Sequence, residues 1–131
     1  RNPRMAMPGI LVIEGPKHQG EASTLQMRKE LDELPGDMLG QCPLIVLADD
    51  AEFSARNLNN FLWTTFTRSN PAVDIHGSGA FTSHKHFGCT GSLLIDARTK
   101  PHHAPGLVED PEISARVDAR ATHGDDLAKF L

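Results

Sequence analysis

The sequence predicts one small α/β domain, in which a sheet of mostly parallel strands is covered by helices in two or three layers. Three short apolar segments carry this prediction, at residues 10–13, Leu44–Ala48 and Leu93–Asp96, because such runs are typical of strands buried on both faces. A helical pattern separates the first two segments. Strand, helix and strand within about 40 residues form a right-handed crossover unit. A chain of 131 residues is long enough to bury one such core.

The N-terminal third supplies the first strand and the first helix. Residues 1–8 contain two prolines and no periodicity, which predicts a linker or a strap on the domain surface. Residues 21–34 predict an amphipathic helix that ends at a following Pro-Gly pair. The apolar positions on its buried face are Met27, Leu31 and Leu34.

A second amphipathic helix is predicted at residues 55–68, after the strand Leu44–Ala48, with Ser54 as its N-cap. Its predicted buried stripe consists of Leu58, Phe61, Leu62, Thr65 and Phe66. Trp63 lies off this stripe, so it is left for another surface and is a candidate interface residue.

The C-terminal half alternates loops with short elements. Residues 76–91 are rich in glycine and lack a helical period, which predicts a long loop or a hairpin. The Asp110-Pro111 pair predicts a final helix that runs through Arg120. Residues 121–131 predict a tail or a separate short helix. Little of the domain remains for this segment to pack against, which adds three interface candidates: Leu127, Phe130 and Leu131.

Composition excludes several classes of protein. The net charge of −4 provides no basic surface for nucleic acid. No apolar run reaches the roughly 20 residues that a membrane-spanning helix needs, and no signal peptide is recognisable. Two cysteines, Cys42 and Cys89, are too few for a disulfide framework or a cysteine-rich zinc site, so we expect free thiols. These features predict a cytoplasmic location.

The histidines and aspartates allow two interpretations. His84 and His86 would share one face of a strand, as metal ligands can, but no carboxylate stands at a suitable spacing, and we expect no metal. Asp49 and Asp50 end a buried strand, at the edge where open α/β sheets bind ligands; the favoured interpretation is that one of them caps the next helix. A free-standing protein that binds an anionic ligand or a metal at Asp49 and His76–His86 remains the alternative function.

The segment at residues 98–103 is positively charged in this acidic chain, since it contains Arg98, Lys100, His102 and His103. It can form a solvated basic rim, or a surface that meets carboxylate or phosphate substrates as they approach a neighbouring catalytic domain. On the second interpretation the substrate-facing candidates are Lys85, His86, Arg98 and Lys100. No residue is predicted to be catalytic, and none is predicted to bind a cofactor or a metal.

Three segments, taken in order, resemble the C-terminal domain of the UbiD family of carboxy-lyases. The first is the strand that ends in two aspartates, followed by FLWTTFTRSNPAVDI; the second is GSLLIDARTKP at residues 91–101; the third is EDPEI at residues 109–113. Within the family, FTRSNPAVDI and the KHFGC loop resemble the aryl branch, which includes phenylphosphate carboxylase subunits.

This resemblance implies a function for a longer protein. UbiD-family proteins reversibly decarboxylate aromatic or α,β-unsaturated acids with prenylated flavin mononucleotide, a divalent metal and potassium. In the family the catalytic residues belong to a larger preceding region, so none is carried over to this chain. The C-terminal domain packs subunits together and closes over the active site. The implied partners are a preceding flavin-binding region of the same polypeptide, further copies of the chain and other carboxylase subunits.

Overall fold

A computed structural model describes residues 2–33, 40–104 and 109–122, apart from the side chains of residues 31, 121 and 122. The strands are β1 Pro3–Met7, β2 Ile10–Glu14, β3 Leu44–Ala48, β4 Ile75–Gly77, β5 Ala80–Ser83, β6 His86–Cys89 and β7 Leu93–Asp96. The helices are α1 Glu21–Asp32, α2 Ala51–Ala55, α3 Leu58–Thr67 and α4 Pro111–Thr122.

A mixed five-stranded sheet in the order β1-β2-β3-β7-β4 forms the centre of the domain. The three predicted strands are its inner strands β2, β3 and β7, and they run parallel. The outer strands β1 and β4 each pair antiparallel with their neighbour. The α/β class is therefore confirmed, whereas the prediction of a mostly parallel sheet is corrected by these two edges.

Strand β1 corrects the prediction that residues 1–8 form a linker or strap. A tight turn at Pro8-Gly9 folds this segment back onto β2, so that Pro3 faces Ile13 in the register. Gly9 has a φ of 80°, a conformation that glycine adopts without steric cost. The strand is short and mostly exposed, which explains why its sequence shows no apolar run.

Helices cover both faces of the sheet, so the domain has three layers. Val12, Val46 and Ile95 are aligned across the inner strands and form a core cluster that includes Phe61 of α3. The alternate residues of the same strands point to the other face and pack with Met27 of α1. Burial on both faces accounts for the continuous apolar runs in the sequence. The predicted positions Leu31 and Leu34 lie outside the described side chains.

The helix predicted at residues 55–68 is two helices, α2 and α3. Asp50 caps α2, since its side chain accepts a hydrogen bond from the Phe53 N–H. Asn57 is extended, with φ −158° and ψ 168°, and its side chain caps α3. The prediction that Ser54 is the N-cap is wrong, because this residue is buried inside α2 and its hydroxyl donates to the Asp50 carbonyl at 2.7 Å.

The break at Asn57 changes which face of α3 is buried. Phe61, Thr64 and Thr65 face the core, so the predicted stripe is correct at Phe61 and Thr65. Its other members are exposed: Leu58, Leu62 and Phe66. This exposed apolar face of α3 continues to Trp63, which is 44% exposed. Its role as an interface residue stays a prediction.

The glycine-rich segment contains a hairpin, one of the two predicted alternatives. Strands β5 and β6 pair antiparallel as a separate two-stranded sheet, joined at His84 and Lys85. Residues 76 and 77 instead belong to β4 of the main sheet.

The predicted final helix is present as α4, with the Asp110 side chain accepting hydrogen bonds from the first turn. The interface candidates Leu127, Phe130 and Leu131 lie outside the described residues. Among the described helices, none has the length and apolar character required to cross a bilayer.

Candidate functional site

A buried ion pair lies where the parallel strands end. Asp96 is the last residue of β7, and Arg98 follows it in the adjoining turn; both side chains are 0% exposed. The Arg98 Nε donates to Asp96 Oδ1 at 2.9 Å, and Nη2 donates to Oδ2 at 2.6 Å. This bidentate arrangement is the strongest geometry for an arginine and a carboxylate.

The other donors of Arg98 connect three elements. Its Nη1 donates to the Pro16 carbonyl after β2 at 2.9 Å, and its Nη2 donates to Thr24 Oγ1 on α1 at 3.1 Å. The Thr24 hydroxyl in turn donates to Asp96 Oδ2 at 2.6 Å. Gly15 lies so close that an added Cβ would stand 2.9 Å from the Arg98 Cδ. The guanidinium therefore fixes α1 to the end of the sheet.

Lys100 forms the second half of this buried network. Its Nζ is 3.3 Å from Asp74 Oδ2, in an ion pair that is almost completely buried. The ammonium also donates to the carbonyls of Asp96 (2.8 Å), Arg68 (3.1 Å) and Arg98 (3.2 Å). Asp74 accepts a further hydrogen bond from the Asn70 N–H at 2.7 Å. Lys100 thereby joins the end of β7 to the turn before β4.

The burial of these cations corrects the prediction of a basic rim. Arg98 is 0% and Lys100 is 5% exposed, and protein groups occupy their donors. Neither side chain can face a substrate in solution, although both were substrate-facing candidates. Lys85 and His86 are exposed on the hairpin, and their assignment as substrate-facing residues stays a prediction. Buried charges need partners, which is why two cations and two carboxylates are assembled at this position.

The protonation of Asp96 reflects two opposing effects. Burial acts to raise the pKa of this carboxyl, because desolvation penalises the charged form. Hydrogen bonds from Arg98 and Thr24, together with the Arg98 charge, outweigh burial and lower the pKa to about 2. Asp96 is therefore ionised at neutral pH and cannot serve as a general acid or base there.

The two aspartates after β3 are also engaged. Asp49 Oδ2 accepts from the Thr99 N–H at 2.8 Å, from the Thr99 hydroxyl at 2.7 Å and from Arg68 Nη1 at 3.2 Å. Asp50 caps α2, as the favoured interpretation of this pair predicts. The strand-end edge is thus closed by the side chains of the chain itself.

The histidines occupy separate parts of the fold. His76 lies on β4 with its Nε2 buried and without a hydrogen-bond partner among the described residues. Burial, followed by the nearby Arg28, lowers the pKa of His76. His84 and His86 are exposed on the hairpin. Within residues 2–33, 40–104 and 109–122, no three His, Cys, Asp or Glu side chains are grouped as metal ligands would be.

Sequence reasoning missed two members of the buried network, Thr24 and Asp74. Thr24 lies three positions before Met27 on the buried face of α1, so its burial could have been inferred from helical spacing. Asp74 lies directly before β4, and nothing near it in the sequence indicates that Lys100 is its counter-ion. In contrast, the apolar side chains on the outer face of α3 and the residues at the hairpin tip are exposed, so they can contact a partner.

The chain has measurable sequence similarity to known proteins. It is 35% identical over 83 residues to one subunit of the 4-hydroxybenzoate decarboxylase of Chlamydia pneumoniae, a match that covers 60% of this chain and 13% of that protein. It is 33% identical over 82 residues to an uncharacterized protein of Chlamydia muridarum, covering 63% of this chain and 14% of the relative. The chain therefore spans only a small part of these relatives. No protein-family model matches the sequence.

The fold is also similar to part of a solved structure. The vanillic acid decarboxylase of Sedimentibacter hydroxybenzoicus (ShVdcCD), in its open form, aligns with a TM-score of 0.52 at 16% sequence identity. The alignment covers 86% of this chain and 26% of that chain. At this identity the likeness shows the fold alone. The chain is thus similar in sequence to a decarboxylase subunit and in fold to part of a second decarboxylase.

Proposed function

We propose that this chain is the C-terminal oligomerisation and lid domain of a UbiD-like carboxy-lyase or carboxylase that acts on aromatic acids or phenolic substrates. The observation that carries the proposal is the 35% identity to a 4-hydroxybenzoate decarboxylase subunit. The fold likeness to part of a vanillic acid decarboxylase supports the same assignment. A phenylphosphate carboxylase-type subunit is the subtype that the FTRSNPAVDI and KHFGC segments favour.

The chain's own side chains close the carboxyl end of the parallel strands. This favours a structural role for the chain over a catalytic one. Asp96, Arg98 and Lys100 satisfy one another inside the domain, and Asp49 is held by three donors. A network of this kind makes the domain rigid, and a rigid body is what a lid or an assembly domain requires. Catalysis would belong to a preceding region of a longer polypeptide.

The glycine-rich segment at residues 77–79 does not form a phosphate cradle. A phosphate cradle needs open backbone N–H groups near a helix N-terminus, whereas Gly77-Ser78-Gly79 joins two strands. The space above Gly79 is filled, since an added Cβ would clash with Thr90 Oγ1. Prenylated flavin mononucleotide, the divalent metal and potassium are therefore assigned to the rest of the enzyme, and no step of the reaction is assigned to this chain.

The exposed apolar face of α3 is the surface that we assign to assembly. Leu58, Leu62 and Phe66 lie along one side of the helix, and Trp63 stands beside them. The Trp63 ring is held between Phe53, at 6.3 Å between centroids, and the Arg68 guanidinium, 5.0 Å away. Contiguous exposed apolar side chains of this size mark interaction sites, and a second copy is the default partner.

The unpaired cysteines support a reducing compartment. Cys42 and Cys89 are both free thiols in the structure, and thiols persist in the cytoplasm. We therefore include a cytoplasmic location in the proposal. Other carboxylase subunits are proposed as further partners, since the similar proteins include one named as a decarboxylase subunit and the vanillic acid decarboxylase ShVdcCD.

Mass spectrometry of the native gene product tests the proposal. We expect a polypeptide several hundred residues longer than this chain, with prenylated flavin bound and with decarboxylase activity on an aromatic acid. The 131-residue chain alone should bind no flavin mononucleotide in a fluorescence titration. A native product of about the size of this chain, or flavin fluorescence that co-purifies with the chain alone, would contradict the proposal.

Sedimentation equilibrium tests the assembly surface separately. The paired substitution Trp63→Gln and Phe66→Gln should weaken self-association by at least about tenfold, because it removes exposed aromatic anchors. Val73→Gln, at an exposed valine in the turn before β4, is the matched control for lost apolar surface away from α3. Unchanged association of the α3 variant would remove α3 from the interface and leave the carboxy-lyase assignment untouched.

A further inference from the structure

His76 lies at the edge of the main sheet, on the face that α1 covers. In the antiparallel ladder of β4 and β7 it stands directly opposite Leu94, and residues opposite each other point to the same face of a sheet. Leu94 belongs to the core cluster that contains Met27 of α1. The His76 side chain is half-buried, and its Nε2 atom is buried. The imidazole therefore lies between the edge strand and the helix.

The surroundings of the His76 Nε2 suit a neutral imidazole. Among the described residues, no group forms a hydrogen bond with this atom. A neutral ring can leave one nitrogen without a proton, whereas a protonated ring carries an N–H at both nitrogens. A buried N–H without an acceptor costs free energy, and so does a buried charge. Protonation of His76 therefore acts against the packing of β4 on α1.

The charges around the ring favour the neutral form as well. The described charged groups that act on His76 come from α1 and from the buried network: Arg28, Glu21, Asp74 and Asp96. Both aspartates already have a cationic partner, and Arg28 repels an imidazolium. Burial, followed by Arg28, outweighs the three acids and holds the pKa of His76 below its ordinary value of 6.5.

Strand β4 is a weakly attached part of the sheet. It is three residues long and pairs only with β7. Directly after it, the Ser78 N–H donates to the Ser92 carbonyl at 3.0 Å, and the Ser78 carbonyl accepts from the Gly91 N–H at 3.0 Å. The Ser78 hydroxyl donates to Asp32, at the end of α1, at 2.5 Å. The β5–β6 hairpin begins at Ala80, so any movement of β4 reaches the base of the hairpin.

We propose that His76 is a pH-sensitive latch that holds β4, and with it the base of the β5–β6 hairpin, against α1. The neutral imidazole keeps the latch closed. Protonation in mildly acidic solution opens it, because the imidazolium finds water as a hydrogen-bond partner only when β4 moves away from the helix. The latch is independent of the carboxy-lyase assignment, since it uses only residues of this domain.

The sign of the pH effect follows from the direction of the pKa change. The closed state binds the proton less well than the open state, in which His76 has its ordinary pKa of 6.5. As the pH falls through 6.5, the open state therefore takes up the proton first, and the latch weakens. The loss is complete once the pH lies below the pKa of the closed state. Above about pH 7.5 the latch keeps its full strength.

Amide hydrogen exchange at about pH 7.5 and about pH 5.5, corrected for the intrinsic exchange rates, tests the opening. Protection of β4 should fall at the lower pH by more than about twofold and by no more than about tenfold, the limit set by the open-state pKa of 6.5. His76→Phe keeps an aromatic ring that takes up no proton, so it should abolish this loss. His86→Phe, at an exposed histidine of the hairpin, is the matched control and should retain it.

Proton NMR titration of the His76 imidazole tests the latch without a change at His76. The midpoint should lie below 6.5 in the original chain. Arg28→Gln should raise the midpoint, because it removes the cation on α1. Lys29→Gln removes the same charge from an exposed position of the same helix and should leave the midpoint nearly unchanged. The pKa of His103 is also lowered, but this residue is present in every variant and cannot account for a difference between them.

Three results would overturn the proposal. The first is a His76 midpoint at or above 6.5 in the original chain. The second is protection of β4 that does not change between the two pH values. The third is a folded His76→Phe variant that loses β4 protection at low pH as the original chain does. Circular dichroism checks that each variant is folded, and the titrations of the original chain and of Arg28→Gln decide the matter if His76→Phe is not.

Discussion

Replacing Asp96 with asparagine should strongly destabilise the domain, because the change leaves the Arg98 guanidinium buried without a counter-ion. The two side chains are fully buried and joined by two hydrogen bonds, and Thr24 completes the network. Removal of one partner from a buried pair costs about 3–5 kcal/mol. Since small domains are stable by roughly 5–15 kcal/mol, this one change would remove much of the total.

The pH dependence gives a second measure of the same pair. The Asp96 pKa falls from 3.8 to about 2 on folding, which corresponds to about 2 kcal/mol of stability from ionisation alone. Because the pKa is lower in the folded state, the unfolded chain takes up the proton first as the pH falls. This stability is complete above the unfolded pKa and is lost as the pH falls through about 2. The loss on Asp96→Asn should be larger, since the amide also places N–H groups against a guanidinium.

Urea unfolding at neutral pH measures the change directly. With a slope of about 1.5 kcal/mol per molar urea, a loss of about 3 kcal/mol lowers the midpoint by about 2 M. Arg98→Met in the Asp96→Asn background should recover part of the loss, because it removes the stranded charge and keeps an apolar chain of similar length. Glu52→Gln is the control, since this exposed acid pairs with an exposed arginine and should change stability by less than about 0.5 kcal/mol.

Two results would refute this reasoning. The first is a loss below about 1 kcal/mol for Asp96→Asn, which is the value of an exposed pair. The second is an Asp96→Asn variant whose stability declines between about pH 4 and pH 2 as steeply as that of the original chain. Either result would mean that Asp96 and Arg98 are hydrated rather than buried.

Three further substitutions test the local structure. Asn57→Ala should destabilise the domain by about 1 kcal/mol in urea unfolding through loss of the α3 cap, whereas a longer continuous helix would gain from alanine. Gly15→Ala should cost about 1–3 kcal/mol in the same assay, since its Cβ would press on the buried Arg98; no loss would show that the guanidinium can move. Lys85→Gly should stabilise the hairpin by about 1 kcal/mol, detected as slower amide exchange in β5 and β6, because glycine accepts the positive φ.

Apolar run length predicted the inner strands and failed at the edges. Leu44–Ala48 is buried on both faces, and its five apolar residues indicate this in the sequence itself. Strand β1 has one covered face and only two partly buried residues, Ala6 and Met7, so no run appears. The usable signal was the Pro8-Gly9 pair directly before the apolar segment, which is a turn between strands.

The charged network could not be predicted from spacing. Arg98 and Lys100 alternate with other residues after a strand, a pattern that equally describes an exposed turn. Their burial depends on Asp74 and Thr24, which are distant in sequence and meet them only through the sheet order. Local reasoning assigns such cations to the surface because isolated charges are rarely buried. Asp96, the counter-ion of Arg98, is close in sequence, but only the tertiary structure shows that this pair is buried and that Asp74 is the partner of Lys100.

The edges of the main sheet bear on aggregation. Unpaired edge strands are templates on which other chains can add as strands. In this domain one edge carries Pro3, a register shift between Met5 and Met7, and the paired charge of Arg4. The other edge, β4, is only three residues long. Each feature hinders the addition of a further strand at its edge of the sheet. We therefore expect copies of this chain to associate through side chains rather than by extending the sheet.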